Sequence, residues 1–470
     1  MSTVSALSSL LGSSSSSSID ISSILEAALG ASSPGLDVTS AVNSAVTAAQ
    51  APEQAWETQE STIQSQESAL SSIQTAATSL DNDVQQLNSL TGPLSARTVS
   101  SSNSNIVSAS AASGTTQANH VIVVNNLATT DSWTSGTVAS ATTDLSAGSF
   151  TITSGSGAST TITTNGSQSL TDVVNEINGD NLGVTASVVT DATGARLAIE
   201  SNTSGSAAAI TVSGDINGES FTHAVTGTNA SLTVDGISIQ SASNTVTGAL
   251  SGVTLNLLSA SPGTEVSLAV APDVSAATTA INQFVTDYNT VIGDINAQYA
   301  DTGSGEGVLG SDSTLRSLQS ELLQSLGYTY VPSTGTTTVS NLSSLGISVN
   351  NDGSLSVDSA TLNTALTNNF SDVQSFFQGA ALNGFANTLD QQLTSFISPA
   401  DGAFTLDLQS LSTQYTSLQT DISNFETNYI TPLKTQLQNE YSQAEIDLQQ
   451  LPNETKQIDA ELGENSSSSS

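Results

Sequence analysis

The sequence predicts a multidomain α+β protein in which both chain ends form one coiled-coil or helical-bundle stem and β-rich domains are inserted between them. Three observations predict it. A seven-residue apolar register runs near the N-terminus, a longer one runs near the C-terminus, and the middle consists of short Val/Thr/Ile runs broken by Gly, Asn, Asp and Ser. The 470 residues suffice for roughly three domains of ordinary size.

Residues 1–51 are rich in Ser and Ala, with a serine run at 13–18, and bury too little apolar surface to order themselves unaided. They are expected to order on assembly. Ser18-Ile19-Asp20-Ile21 and Gly35-Leu36-Asp37-Val38-Thr39-Ser40 each read as a short helix start with Asp, Ser or Thr as cap.

From Trp56 onward one register holds Trp56, Ile63, Leu70, Ala77 and Val84, and its partner position holds Gln59, Gln66, Ile73, Leu80 and Leu87. This is a coiled-coil seam softened by two glutamines. Pro52 suits a first helical turn, and Gly92-Pro93 terminates the helix near Leu90.

Strand-like runs between 99 and 270 include Val121-Ile122-Val123-Val124, Ser149-Phe150-Thr151-Ile152-Thr153 and Leu232-Thr233-Val234-Asp235-Gly236-Ile237, with one amphipathic helix at 170–177. Helical patterns return at 276–299 and 314–326. A turn around Asp352-Gly353 follows, and then a helix over 359–377.

The C-terminal register is the most regular: Phe404, Leu408, Leu411, Tyr415, Leu418, Ile422, Phe425 and Tyr429 alternate spacings of four and three. The alternation fails beside Pro432, where a kink or local unwinding is expected. The two registers lie at opposite ends of the chain, so antiparallel pairing would join the ends and leave the β-rich middle between them.

Composition removes several function classes. Five Lys and Arg against 42 Asp and Glu give a formal net charge of -37, which repels phosphate backbones and anionic headgroups and argues against nucleic-acid partners. Cysteine is absent, so neither disulfides nor thiolate metal sites can form. No basic segment precedes an apolar one at the N-terminus, and no apolar run is long enough to insert in a membrane, so export is expected by a route without a cleaved signal.

Catalytic, cofactor-binding and metal residues are all read as none. His120 and His223 are each isolated in strand-like stretches and are read as structural. Gly303-Ser304-Gly305-Glu306-Gly307 lacks the lysine of a phosphate loop. Asn350-Asn351-Asp352-Gly353 lacks the glutamate that closes a calcium loop and is read as a turn. The carboxylates are read as solvated surface, and a secreted glycosidase has no nameable acid-base pair.

With these residues in view, the sequence resembles the bacterial flagellar filament cap family, hook-associated protein 2. The resemblance is carried, in order, by Gly35-Leu36-Asp37-Val38-Thr39-Ser40, Leu94-Ser95-Ala96-Arg97-Thr98, the strand at 121–128, Val234-Asp235-Gly236, Ser243-Asn244-Thr245-Val246 and Gly252-Val253-Thr254-Leu255. Phe284-Val285-Thr286-Asp287-Tyr288-Asn289, the run from Leu309 to Arg316, Leu345-Gly346-Ile347 and Asp352-Gly353-Ser354-Leu355 complete it. Asp235, Gly236, Tyr288, Asn289, Asp352 and Gly353 are the motif residues it singles out.

The resemblance implies a structural, non-enzymatic assembly factor at the tip of the flagellar filament, secreted by the flagellar type III route. It implies a homo-oligomeric ring whose subunit number stays open, a pentamer being one form. It also implies flagellin and the hook-associated junction proteins as partners, an export chaperone before secretion, and no cofactor. The implied division is a segment 1–51 ordered on assembly, a helical stem from 52–98 and 273–430, a proximal β-rich domain from 99–130 and 228–272, a distal one at 131–227, and a C-terminal helical segment 431–470. Another axial protein, such as the junction protein, or a surface adhesin is the alternative.

Overall fold

The computed structural model describes residues 37–155, 157–300, 307–332, 335–379 and 383–467. The serine run, the helix start at 18–21 and most of the 303–307 loop lie outside them. The chain divides into two units: Met1–Thr78, Gly293–Gln319 and Leu393–Ser470 form the first, and Ser79–Ile292 with Ser320–Gln392 form the second.

Ten α-helices are named in chain order: α1 (Val38–Ala49), α2 (Ala51–Asn88), α3 (Leu170–Gly179), α4 (Val274–Tyr299), α5 (Ser313–Ser325), α6 (Ser359–Asn368), α7 (Phe370–Gln378), α8 (Phe385–Ile397), α9 (Ala403–Phe425) and α10 (Thr431–Ser467). Helix α2 is rich in Ser, Thr and Gln, and Thr58, Thr62, Thr75 and Thr78 each turn a hydroxyl back to the carbonyl four residues earlier. Such residues favour a helix weakly, so packing of the apolar stripe holds it.

In the first unit α2 and α9 run antiparallel. Trp56 meets Phe425 edge-on with ring centroids 5.3 Å apart, Gln64 Nε2 donates to the Tyr415 hydroxyl at 2.8 Å, and Gln74 Nε2 reaches Thr405 Oγ1 at 3.3 Å. Residue numbers fall on one helix as they rise on the other, so the contacts keep one register over five turns or so of helix. Helix α1 starts at Asp37, whose carboxylate accepts the Ser40 amide at 3.0 Å, a cap worth about 1 kcal/mol. Its Ala41, Val42 and Val46 pack on Ile430 and Tyr441. Residues 38–49 therefore form a packed helix within a segment that composition alone left unordered.

The second unit holds two β cores and an aromatic helical cluster. One antiparallel sheet has the strand order Arg97–Ser101, Val266–Pro272, Ala118–Asn126, Ala230–Val234, Ile237–Ser241. A three-stranded sheet, Thr245–Leu250, Val253–Leu257 and Val107–Ala111, shares its core of Val107, Ile122, Leu232, Leu255 and Leu268. Alternate residues face inward, as period-two patterning requires.

Between Asn126 and Ala230 the chain builds a separate core. Two four-stranded sheets and α3 enclose Phe150, Ile162, Leu170, Val173, Leu197 and Ile199. Helix α3 begins with a capping box in which Ser169 and Asp172 satisfy each other's backbone amides. Phe284, Phe376, Phe377 and Phe385 form the aromatic cluster, with Phe376 and Phe385 stacked at 5.4 Å. Such pairs add to simple burial.

Three helical expectations need correction. The segment 359–377 is two helices, α6 and α7, because Asn369 leaves the helical region and serves as the cap between them. Helix α8, Phe385–Ile397, is an addition to the helices that the pattern predicts over 359–377 and from Phe404 onward. Gln59 is exposed and does not enter a seam. The unwinding expected beside Pro432 is a five-residue π-helical turn, Glu426–Ile430, immediately before α10.

Candidate functional site

The seam and the motif residues are the candidate site. On α2, Ile63, Leu70, Ile73, Leu80, Val84 and Leu87 are buried and Trp56 is half-buried. Leu80, Val84 and Leu87 belong to the second unit, where Gln378 Nε2 closes the end of α2 by donating to the carbonyls of Leu87 and Ser89 at 3.3 and 2.9 Å. The α2–α9 register runs out before them, because α9 starts only at Ala403. Gln66, half-buried, donates instead to the Val308 carbonyl at 3.0 Å.

On α9, Phe404 and Leu418 are buried, whereas Leu408, Leu411, Tyr415, Ile422 and Phe425 are only half-buried. Tyr429 is 51% exposed and Ile430 is 3% exposed. The reason is the π-helical turn: one extra residue rotates the helix phase, so the inward place that unbroken heptads would give to position 429 passes to 430. An apolar stripe therefore runs along α9 with one side covered by α2 and the other open to water.

All six motif residues lie within the second unit, and Asp235, Asn289 and Asp352 act as backbone clamps. Asn289, on α4, accepts the Leu355 amide at 2.6 Å and donates to the Leu355 carbonyl at 2.8 Å. That fastens the hairpin of Ile347–Val349 and Leu355–Val357 to the helix. The hairpin's turn carries Asp352 and Gly353: Asp352 Oδ1 accepts the Ser354 amide at 3.0 Å and its hydroxyl at 2.6 Å, and these bonds hold the carboxyl below its ordinary range. Gly353 has φ +83°, and a Cβ there would lie 3.0 Å from Leu323 Cδ2. Tyr288, beside Asn289, is fully buried in the aromatic cluster, and burial pushes its phenol well above the ordinary range.

Asp235 and Gly236 form a two-residue turn between strands Ala230–Val234 and Ile237–Ser241, with φ of 49° and 81°. Paired left-handed residues suit a hairpin of right-handed twist, and Asp-Gly supplies them at low cost. Asp235 Oδ1 accepts the Val121 amide at 2.8 Å, and Oδ2 lies 2.7 Å from His120 Nδ1. The His120 contact, followed by the Val121 amide, draws the Asp235 carboxyl down.

Further clamps lie outside the predicted site residues. Asn244 repeats the Asn289 geometry on Ala128, accepting its amide at 2.7 Å and donating to its carbonyl at 2.9 Å. Arg97 donates to the carbonyls of Thr115, Ser95 and Ala96. Asp131, fully buried, holds the Gly227 amide and lies 3.1 Å from His223 Nε2, whose ring stacks on Trp133 at 4.6 Å. Only the order of motifs hinted at Asn244 and Arg97, and nothing local marked Asp131. Among the described residues no group of three or more His, Asp or Glu is placed to hold a metal, and no helix is long and apolar enough to cross a membrane.

Residues 34–131 match the family described as flagellar hook-associated protein 2 N-terminus, and residues 227–453 match flagellar hook-associated protein 2 C-terminus. The two matches take in α1, α2, both arms of the first β core, every motif clamp and most of the helical stem. The chain belongs to the flagellar hook-associated protein 2 family. Residues 149–203 of this cap-family chain also match the flagellin hook IN motif.

Among the relatives of this family member, the B-type flagellar hook-associated protein 2 of Pseudomonas aeruginosa is 28% identical over 71% of this chain and 74% of its own length. The flagellar hook-associated protein 2 of Aeromonas caviae is 26% identical over 67% of this chain and 73% of its own. The crystal structure of the D1, D2 and D3 domains of the flagellar cap protein from Escherichia coli is 29% identical, covers 73% of this chain and 99% of that one, and superposes with a TM-score of 0.59.

Proposed function

We propose that this family member caps the tip of the bacterial flagellar filament as a homo-oligomer and promotes the folding and insertion of exported flagellin, with no chemical catalysis. The half-covered apolar stripe of α9 carries the proposal. Its α2-facing side is satisfied within the chain, and Leu408, Leu411, Tyr415, Ile422, Phe425 and Tyr429 keep apolar surface in water that a neighbouring copy would bury. Trp56, Ile63, Leu70 and Ile73 hold the stem straight beneath it.

In this reading the β-rich parts, 99–130 with 228–272 and 131–227, are two inserted domains that face flagellin and the filament end. Asp235–Gly236 fixes a hairpin of the first of them, while Asn289 and Asp352–Gly353 fix the 347–357 hairpin on α4 as subunits are added. The chain reaches the tip by the flagellar export route, and the junction proteins lie beneath the filament it caps. The likeness to the Escherichia coli flagellar cap protein supports a cap, and the net charge of -37 argues against a nucleic-acid role.

Deleting the gene tests the proposal. Motile cells should become non-motile and release unpolymerised flagellin into the medium, and the intact gene should restore filaments. Full-length filaments in the deletion strain would overturn it.

A further inference from the structure

Three pairs of carboxyl groups meet between helices with no Lys, Arg or His beside them among the described residues. In the second unit Asp81 of α2 meets Asp390 of α8, and Asp83 of α2 meets Asp287 of α4. In the first unit Glu53 of α2 meets Glu426 of the π-helical turn. Asp81 and Glu53 are each only 6% exposed, and Asp83 is partly buried.

Each pair has the same construction. A glutamine on one of the two elements or next to it donates to one carboxyl group: Gln85 to Asp81 Oδ2 at 2.7 Å, Gln283 to Asp287 Oδ1 at 3.1 Å, and Gln50 to Glu426 Oε1 at 2.9 Å. The oxygens left over, Asp81 Oδ1, Asp83 Oδ2 and Glu53 Oε2, are sealed from water and receive no N–H or O–H from any other of the described residues. A buried carboxylate oxygen without a donor is costly, and two carboxylates cannot bond each other unless one carries a proton. The charged groups that face these pairs are carboxyls alone: Asp390 for Asp81, Asp287 for Asp83, and Glu426 with Glu57 for Glu53. Carboxyl groups set apart from Lys, Arg and His in this way can bond each other through a proton carried by one of them.

We infer that each of the three interhelical pairs holds one shared proton in the folded chain, so that the helices are fastened by protonation and loosen as the surroundings become alkaline. Burial first, then the opposing carboxyl, pushes Asp81 and Asp83 up to about 7, and the same causes raise Glu53. In the unfolded chain these groups ionise at the ordinary carboxylate value, so between that value and about 7 the folded chain binds more protons. Stability therefore falls as pH rises through this window and levels off above it. The sense is opposite to ordinary acid denaturation, in which carboxylates paired with cations lose their partners on protonation. It does not depend on what the chain assembles with.

The test uses the full-length chain and its Asp81→Asn, Asp83→Asn, Glu53→Gln triple variant, in which each amide supplies permanently the hydrogen that the proton supplies in the native pair. Melting is followed by circular dichroism from about pH 5 to about pH 8, in salt high enough to screen the long-range repulsion of the net negative charge. The native chain should melt at progressively lower temperature as pH rises. The triple variant should lose more than about half of that dependence, mainly by gaining stability at the alkaline end. An Asp144→Asn, Glu265→Gln control, changing two exposed carboxylates, should keep the native slope. Carbon-13 spectra of the labelled chain should show Asp81 and Asp83 titrating at about 7, well above the other carboxyl groups, with Glu53 displaced in the same direction.

A triple variant with an unchanged slope, or carboxyl signals that all titrate in the ordinary range, would overturn the inference. So would magnesium or calcium restoring alkaline stability in the native chain but not in the variant, since the pairs would then be cation sites.

Discussion

Replacing Asn289 by Ala should release the 347–357 hairpin from α4. The side chain makes two bonds to one residue, 2.6 Å from the Leu355 amide and 2.8 Å to its carbonyl, in a partly buried setting. Alanine leaves both backbone groups without that partner. At about 1–2 kcal/mol for each orphaned group, opening of the hairpin should become easier by about 2–4 kcal/mol. The hairpin has three residue pairs, Ile347 with Val357, Ser348 with Ser356 and Val349 with Leu355, and a two-stranded ribbon of that size is marginal without an anchor.

Native-state hydrogen exchange reads the effect directly, since the Leu355 amide is itself the donor. It should exchange roughly 30- to 700-fold faster in Asn289→Ala, a factor of ten for every 1.4 kcal/mol. Amides of the strands on either side of Asp235–Gly236 should be unaffected. An acceleration below about threefold at Leu355 would refute the clamp. Equal acceleration at the Asp235–Gly236 hairpin would also refute it, because the loss would then be global.

The two motif glycines should respond unequally to alanine. Both are left-handed, but a Cβ at Gly236 meets open space whereas one at Gly353 meets Leu323 at 3.0 Å. Gly236→Ala should cost about 1 kcal/mol in urea titration and Gly353→Ala about 1 kcal/mol more; equal losses would mean that the Leu323 contact yields freely. In the stem, Trp56→Ala should destabilise the first unit by about 2 kcal/mol. A double-mutant cycle with Phe425→Ala should return a coupling of about 0.5–1.5 kcal/mol for their edge-on contact. Strict additivity would show that the rings merely pass near each other.

Much of the architecture is legible because periodicity reports which face of an element is buried. The α2 and α9 registers named their stripes, Asp235–Gly236 announced a hairpin through left-handed propensity, and Pro432 announced a break in the C-terminal helix. What escaped depends on partners distant in sequence. Asn244 and Asn289 are ordinary polar residues until folding sets a backbone edge beside them. Asp131 looks like any surface carboxylate until His223, Trp133 and Gly227 enclose it.

Local propensity and hydrophobic period set the elements and their faces: long helices at both ends, short strands between, and motifs whose order marks the family. Which half of each face is buried inside the chain depended on long-range packing. Helix phase after a π-helical turn exchanged Tyr429 for Ile430, the start of α9 at Ala403 left Leu80, Val84 and Leu87 to the second unit, and interhelical proximity turned Asp81, Asp83 and Glu53 from surface charges into buried pairs. Local sequence sets where a side chain points along its own helix, and what it meets there depends on elements hundreds of residues away.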